Sequence, residues 1–209
     1  MPLPSLGSLS LRDTPKISDA EFKELRDYIY SLTGIDTRVD RKYLLENRLG
    51  PRLKELGIAS FGDYARHLRL GSGRDAELEK LFEKVTTNET SFFRDQKQLD
   101  VVRDKVFPAV MEKQAKGGKE FNVWCAGCSS GEEPYTLAIM LHEMLRMSII
   151  GWRIRITAND LSPAMLAKAR AGLYNDHALR TTPRDIVERY FTREPAGYRI
   201  HPKVQKLVS

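Results

Sequence analysis

The sequence predicts an α/β protein in two parts: a small N-terminal helical bundle, then the opening part of a Rossmann-like domain. Three observations carry this prediction. Apolar residues recur at helical spacing from Phe22 to Val85, between short polar or glycine-marked stops. After Gly117-Gly118 the texture changes, and FNVWCA and RIRITA read as strands on either side of a long apolar stretch. Between them a small-residue loop, GCSSG, leads directly into an acid-headed helix.

Residues 1–16 hold three prolines and no apolar period, and read as a flexible lead-in. Ser18-Asp19-Ala20-Glu21 has the spacing of a capping box, in which the serine oxygen and the glutamate satisfy free amides at a helix start. Phe22, Leu25, Ile29 and Leu32 follow, and Gly34 supplies a stop. A second helix is expected from near Asp40, with Leu45, Leu49, Leu53 and Leu56 as its stripe and Gly57 at its end. Pro51 inside it predicts a kink or local break. A third begins at Ser60, turns Phe61, Tyr64, Ala65 and Leu68 inward, and closes at Gly71. The fourth spans 76–85 on Leu78, Leu81, Phe82 and Val85. Four such helices over 17–85 make a bundle.

The polar, β-branched TTNETS should leave the helix, so 86–95 reads as a linker. Leu99, Val102, Val106 and Val110 mark another helix, ending before Gly117-Gly118. A buried strand over 121–126, an apolar helix over 134–147 and a strand over 153–158 follow. Ser162-Pro163 starts the next helix, the serine as cap and the proline in the first turn. Thr182-Pro183 repeats that device for a helix ending near Phe191, and 192–208 reads as a small β element. Residues 96–209 thus form the first part of the α/β domain.

Composition bounds the function less than the pattern does. Hydrophobic residues at 41% and charged residues at 30% suit a soluble globular chain. No run approaches the ~20 apolar residues of a membrane span, and the opening MPLPSLGSLSLRD lacks the basic head of a secretory signal. Two cysteines are too few for a disulfide framework, so a cytoplasmic setting is expected. Lys+Arg 34 against Asp+Glu 28 gives a net +6, compatible with nucleic acid, an acidic protein surface or anionic lipid, and selecting none.

Strand, glycine-containing loop, helix and strand form the first half of a nucleotide-binding fold, with its ligand at the strand carboxyl ends. The loop lacks both the G-x-G-x-x-G and the G-K-[ST] spacings. Glu132-Glu133 at the helix head favour the dipole but repel a phosphate seeking the same amides. A cationic, phosphate-free adenosyl ligand fits better, and S-adenosylmethionine is one. Asp160, ending the second strand, suits the ribose hydroxyls; the plainer roles are a helix cap for Asp160 and a first-turn acid for Glu133. Cys125 and Cys128 form a C-x-x-C with no second pair, and the four histidines have no ligand spacing, so no metal is expected. A redox pair is the sharper reading of these cysteines, and small residues in a tight ligand-facing loop the simpler one.

Three segments, TTNETSFFRD, VWCAGCSSGEEPYTLAI and ANDLSPAMLAKARAGLY, together resemble the chemotaxis receptor methyltransferases, the CheR family. The resemblance covers about residue 17 onward. It implies a Rossmann-like, S-adenosyl-L-methionine-dependent methyltransferase domain behind a receptor-docking helical domain. The implied reaction methylates glutamate carboxylates of chemoreceptors, giving glutamyl methyl esters and S-adenosyl-L-homocysteine. The resemblance further implies cofactor contacts for Asn88, Thr90 and Arg94, a methionine-end partner in Glu133, a ribose acid in Asp160 and close backbone approach at Gly127. Of Phe92 and Phe93 at least one should be core. Arg94 is the candidate for orienting the substrate carboxylate, against a plain surface pair with Asp95.

The second predicted helix carries Arg41, Lys42, Arg48, Arg52 and Lys54, by charge alone a solvated face. The resemblance makes Arg48 and Arg52 substrate-docking residues for the cytoplasmic methylation helices of transmembrane receptors. It implies no nucleic-acid partner, no membrane insertion and a monomer. The family continues through further strands beyond the residue matching Ser209, so the domain reads as truncated on that side and this chain as a possible inactive fragment. FTREPAGYRI is short where some members carry a glycine-containing loop for a receptor pentapeptide, so tethering is not expected. Two other functions compete: an RNA or DNA methyltransferase, and a cofactor-binding signalling module without turnover.

Overall fold

Ser18 opens the first helix as its spacing requires. Its hydroxyl oxygen accepts from the Glu21 amide at 3.3 Å, and the Glu21 carboxylate accepts from the Ser18 amide at 2.9 Å. The structure, a computed structural model, describes residues 15–115 and 117–209; of the predicted lead-in, 1–14 lie outside the described residues. The helices are α1 (Asp19–Thr33), α2 (Lys42–Leu56, after a 3-10 turn over Val39–Arg41), α3 (Phe61–Leu70) and α4 (Arg74–Val85). They bury Leu25, Ile29, Leu49, Leu53, Phe61, Tyr64, Leu68 and Leu81 completely or nearly so, while Leu78 and Phe82 sit half-buried at the margin. This unit ends at Thr86, and the second runs from Thr87 to Ser209.

Pro51 does not break α2, which runs unbroken past it. Leu49 and Leu53 are buried on either side, so packing holds both turns while the proline leaves one amide hydrogen bond unmade. Charge is also drawn inside this unit. Glu77, 4% exposed, accepts from Arg52 Nε at 3.0 Å, Arg52 Nη2 at 2.6 Å and the Tyr64 hydroxyl at 2.9 Å. Arg52 also reaches Glu55 at 2.7 Å.

In the second unit α5 (Gln96–Val101) passes through a π-helical turn (Val102–Val106) into α6 (Phe107–Ala115). The predicted stripe fails at Val106, which is 46% exposed, while Phe107 is buried. The π turn adds one residue to the repeat, the Phe107 amide bonding the Val102 carbonyl, so the inward position slips from 106 to 107.

β1 (Glu120–Ala126) pairs in parallel with β2 (Arg153–Asn159), and α7 (Glu132–Leu145) connects them, headed by the two acids and ending two residues short of the predicted 147. β2 is bonded on its other edge by residues 207–209, with Ile156 N to Leu207 O at 2.8 Å and Ser209 N to Ile156 O at 2.9 Å. β1 is not buried throughout, as expected from FNVWCA. It alternates, with Phe121 and Cys125 inside and Trp124 70% exposed. Among the described residues helices cover the Phe121–Cys125 face, where α7 buries Ala138, Ile139 and Leu141, and the other face stays open.

α8 (Pro163–Ala171) starts as predicted, the Ser162 hydroxyl accepting from the Met165 amide at 3.3 Å. Thr182 does not repeat the device. Pro183 is the cap of α9 (Arg184–Tyr190), and the Thr182 hydroxyl is buried without a partner. The small sheet is antiparallel, ordered β3 (Leu173–Tyr174), β5 (Gly197–Ile200), β4 (Phe191–Glu194), and a two-residue turn, Pro195-Ala196, joins β4 to β5. Gly197 is required there: at φ +143° a Cβ would sit 2.3 Å from the Tyr174 carbonyl oxygen. The predicted β element over 192–208 is therefore a hairpin in its first part and a short helix, α10 (Pro202–Gln205), in its second.

Candidate functional site

The tip of β1 turns into α7 through Gly127-Cys128-Ser129-Ser130-Gly131, and the conformation of this loop is fixed from several sides. Gly131 has φ +94°, and a Cβ on it would lie 2.9 Å from Ala169 Cβ and 3.0 Å from the Tyr135 ring. Ser129, at φ +49°, donates its amide to Asp160 Oδ2 at 2.7 Å and its hydroxyl to the Asn88 carbonyl at 3.4 Å. The Cys128 amide bonds the Asn159 carbonyl at 2.9 Å, and the Gly131 amide the Cys128 carbonyl at 3.0 Å. Three of the loop's amides are thus already engaged with protein acceptors. What a phosphate-binding loop leaves open, this one closes.

Facing the loop lies the segment from Thr87 to Asp95. Phe92 anchors it, fully buried and edge-on to Tyr174 (4.7 Å between centroids) and Phe191 (5.0 Å). Phe92 is the core aromatic of the pair, while Phe93 is half-buried at φ +54°. The Phe92 amide bonds the Ala178 carbonyl at 2.9 Å.

Loop, segment, α5 and the start of α7 enclose a cavity of about 340 Å³. That lies at the small end of ligand sites, roughly 300–1,000 Å³. Thr90, Arg94, Gly127 and Glu133 line it together, with Ser129, Leu99, Gln98 and Thr136. Asn88 and Asp160 stand behind the lining, both bonded to Ser129. Asp160 also works at the head of α8, its Oδ1 accepting from the Ser162 amide at 2.9 Å. Arg94 donates to the Glu89 carbonyl at 2.7 Å and lies 4.0 Å from the Asp95 carboxylate, leaving most of its guanidinium donors unengaged by those contacts. Sequence reasoning passed over Ser129, Thr136, Gln98 and Leu99, whose roles depend on backbone the sequence does not display. A larger cavity of about 580 Å³ lies against Phe93, Pro108, Met140, Met144 and Ile186. It lacks the strand tips and loop backbone that make the smaller one a site.

The electrostatics separate the groups by burial. Glu132, 3% exposed, has its carboxyl pushed above the ordinary range by burial, opposed by the Ser130 hydroxyl at 2.8 Å and 3.0 Å. Glu133, next to it, faces the cavity and is exposed. Burial first, and the Glu133 carboxylate second, push the Cys125 thiol up to about 12. Burial and then Asp160 raise Cys128 also. Both cysteines are free and buried, so they remain thiols and suit small packing residues rather than a redox couple. Among the described residues no group of His, Cys, Asp or Glu could hold a metal ion, and no helix is long and apolar enough to cross a membrane.

The predicted docking residues lie in the helical unit. Arg48 donates to the Val85 carbonyl at 2.8 Å, and Arg52 is the partner of buried Glu77. Arg41 and Lys54 are exposed.

Comparison with known proteins matches both units. Residues 20–86 match the CheR methyltransferase all-alpha domain, and residues 88–209 match the CheR methyltransferase SAM binding domain. A chemotaxis protein methyltransferase of Borreliella burgdorferi is 34% identical over 178 residues, covering 85% of this chain and 62% of that protein. Chemotaxis protein methyltransferase 1 of Pseudomonas aeruginosa is 31% identical over 195 residues, covering 91% of this chain and 70% of that protein. That of Salmonella typhimurium is 34% identical over 177 residues, covering 85% and 58%. The chain thus spans roughly three fifths to seven tenths of the length of these relatives. The cofactor of the matched domain is S-adenosyl-L-methionine, and the residues around the cavity fit it: acids at the rim, loop amides closed to phosphate. With both units matched and most of the chain aligned, the protein belongs to the CheR methyltransferase family.

Proposed function

We propose that the protein containing this chain methylates glutamate side chains of chemoreceptors from S-adenosyl-L-methionine, as a cytoplasmic monomer. The observation that carries the reading is the cavity itself, where Arg94 and Glu133 share one lining beside a loop with three of its amides already engaged. The cofactor supplies an activated methyl group on a sulfonium, and its transfer leaves a glutamyl methyl ester and S-adenosyl-L-homocysteine.

Little acid–base machinery is needed. A glutamate side chain, with an ordinary pKa of ~4.3, is ionised at neutral pH and needs no general base. The chain's own task is placement and exclusion of water. Glu133 meets the cationic methionine end of the cofactor, Gly127 approaches it through backbone, and Asp160 takes the ribose. Asn88 and Thr90 complete the wall. Arg94 contacts the cofactor and also holds the incoming carboxylate, as a planar guanidinium can with two parallel hydrogen bonds.

Receptor docking falls to the basic helix α2. Arg48 belongs to it, with Arg41 and Lys54 exposed beside it, while Arg52, expected to dock as well, is closed on Glu77 and leaves docking to the other three. Such rim charges act mainly on association rate and its salt dependence. The nucleic-acid alternative rests on net charge alone and gains nothing from the matched family.

The test is incubation of the full-length protein with tritiated S-adenosyl-L-methionine and receptor-rich membranes. Base-labile methyl ester on receptor protein is expected, and its loss in Arg94→Ala. Label on RNA or DNA, or none on receptor, would refute the assignment.

A further inference from the structure

Phe93 adopts φ +54°, a conformation that bulky side chains hold only when their surroundings impose it. The surroundings are two hydroxyls acting on one peptide plane. The Phe93 amide donates to Thr136 Oγ1 at 3.1 Å, and the Phe92 carbonyl accepts from Thr181 Oγ1. Carbonyl and amide of the Phe92–Phe93 link are thus gripped from opposite ends, one by α7 and one by the turn before α9. Thr136 is 2% exposed, and its own proton goes to the Glu132 carbonyl at 2.7 Å. Its hydroxyl therefore both gives and receives.

The two groups that Thr136 joins are informative. Glu132 directly precedes Glu133, and Phe93 directly precedes Arg94. One buried hydroxyl links the backbone behind the cavity's acid to the backbone behind its guanidinium. We infer that Thr136 is a positioning residue of this site: it fixes the Phe92–Phe93 peptide plane, one residue before Arg94, and holds Arg94 in register with Glu133. The inference rests on the proposed roles of those two side chains. Serine, which keeps the hydroxyl, should serve. Valine, which keeps the shape and loses both hydrogen bonds, should not.

The experiment measures S-adenosyl-L-homocysteine affinity calorimetrically in the full-length protein and in Thr136→Val, Thr136→Ser, Tyr135→Phe and Arg94→Ala. Tyr135→Phe is the matched control, since it deletes a hydrogen bond from the next residue of α7 to the Ala169 carbonyl, 2.9 Å long and away from the segment. Thr136→Val should bind about tenfold more weakly, the scale of one lost buried hydrogen bond, while Thr136→Ser and Tyr135→Phe stay within about twofold of the parent. Thr181→Val, at an exposed residue, loosens the other end of the plane and should weaken binding in the same direction, which keeps the idea testable if Thr136→Val does not fold. Equal affinity in Thr136→Val and the parent, with Arg94→Ala weakened, would overturn the inference alone. Equal weakening in Thr136→Val and Tyr135→Phe would also overturn it, as a general packing effect. Unchanged affinity in Arg94→Ala would remove the reading of the cavity and the inference with it.

Discussion

Arg52 provides the sharpest test, because sequence and structure give it different work. The family resemblance makes it a docking residue, whereas its guanidinium closes on Glu77, whose side chain is only 5% exposed. In Arg52→Met the carboxylate keeps the Tyr64 hydroxyl and loses its countercharge. Stripping one partner from a buried pair costs roughly 3–5 kcal/mol; with the Arg52 side chain 21% exposed, the lower end, about 3 kcal/mol, applies. For a helical unit of this size that is a fall in melting temperature of roughly 12–24 °C. Both tryptophans, Trp124 and Trp152, lie in the second unit, so fluorescence follows that unit while helix ellipticity reports the helices of both. The bundle's share of the ellipticity transition should move down and the fluorescence transition stay. The pH dependence adds a sign. Burial alone would raise the Glu77 carboxyl, but the Arg52 and Tyr64 hydrogen bonds outweigh it and hold it low. Its contribution is therefore complete above ~4.3 and is lost as pH falls through the lower folded value. In Arg52→Met the sign should reverse, protonation of the stranded acid restoring stability as pH falls. A melting temperature equal to that of Lys54→Met, an exposed neighbour, would refute the buried-pair account and return Arg52 to the surface.

The second unit supplies two more expected outcomes. Gly131→Ala places a methyl 2.9 Å from Ala169 Cβ at φ +94°, and should cost roughly 3 kcal/mol by adding a clash to the ~1–2 kcal/mol of a left-handed residue; fluorescence-detected urea unfolding checks it, and an unchanged midpoint contradicts it. Cys125 and Cys128, held as buried thiols, should resist iodoacetamide at pH 8 in the folded protein and both react once urea unfolds it, as read by intact mass; fast alkylation of either in the native state would contradict their burial.

Elements announced by local chemistry were legible from sequence. The Ser18 capping box, the Ser60 and Ser162 caps and the leucine stripe of α2 are set by side chains within a few residues of one another. What failed depended on partners elsewhere. Pro51 suggests a break because its cost is local, while the packing that holds α2 across it comes from the other helices. Val106 fits an ideal repeat, and nothing near it in sequence announces a π turn that moves the inward position to Phe107. Thr182-Pro183 has the hydroxyl-then-proline pattern of the working cap at Ser162-Pro163, yet its hydroxyl meets no amide. Likewise Arg52 shows its charge in the sequence and hides its partner twenty-five positions away.

The candidate site divides in the same way, and at Asp160 the division has an experimental consequence. An acid at the end of the second strand is visible in the sequence, as is the loop it faces. Its bonds to the Ser129 amide at 2.7 Å and the Ser162 amide at 2.9 Å are visible only in three dimensions. A carboxylate so placed can still accept further bonds, since each oxygen has a second lone pair. Removing it nevertheless does two things at once: it takes away the proposed ligand acceptor, and it frees Ser129 from a left-handed conformation that costs energy to hold. Weak cofactor binding in Asp160→Ala would therefore not by itself establish a ribose contact. Asp160→Asn retains one carbonyl oxygen, and only the bond from the Ser129 amide bears on the loop. If the amide group orients that oxygen toward Ser129, the loop keeps its shape and any remaining loss of affinity belongs to the ligand. The change in affinity between asparagine and alanine then measures the loop, and the change between aspartate and asparagine measures the contact.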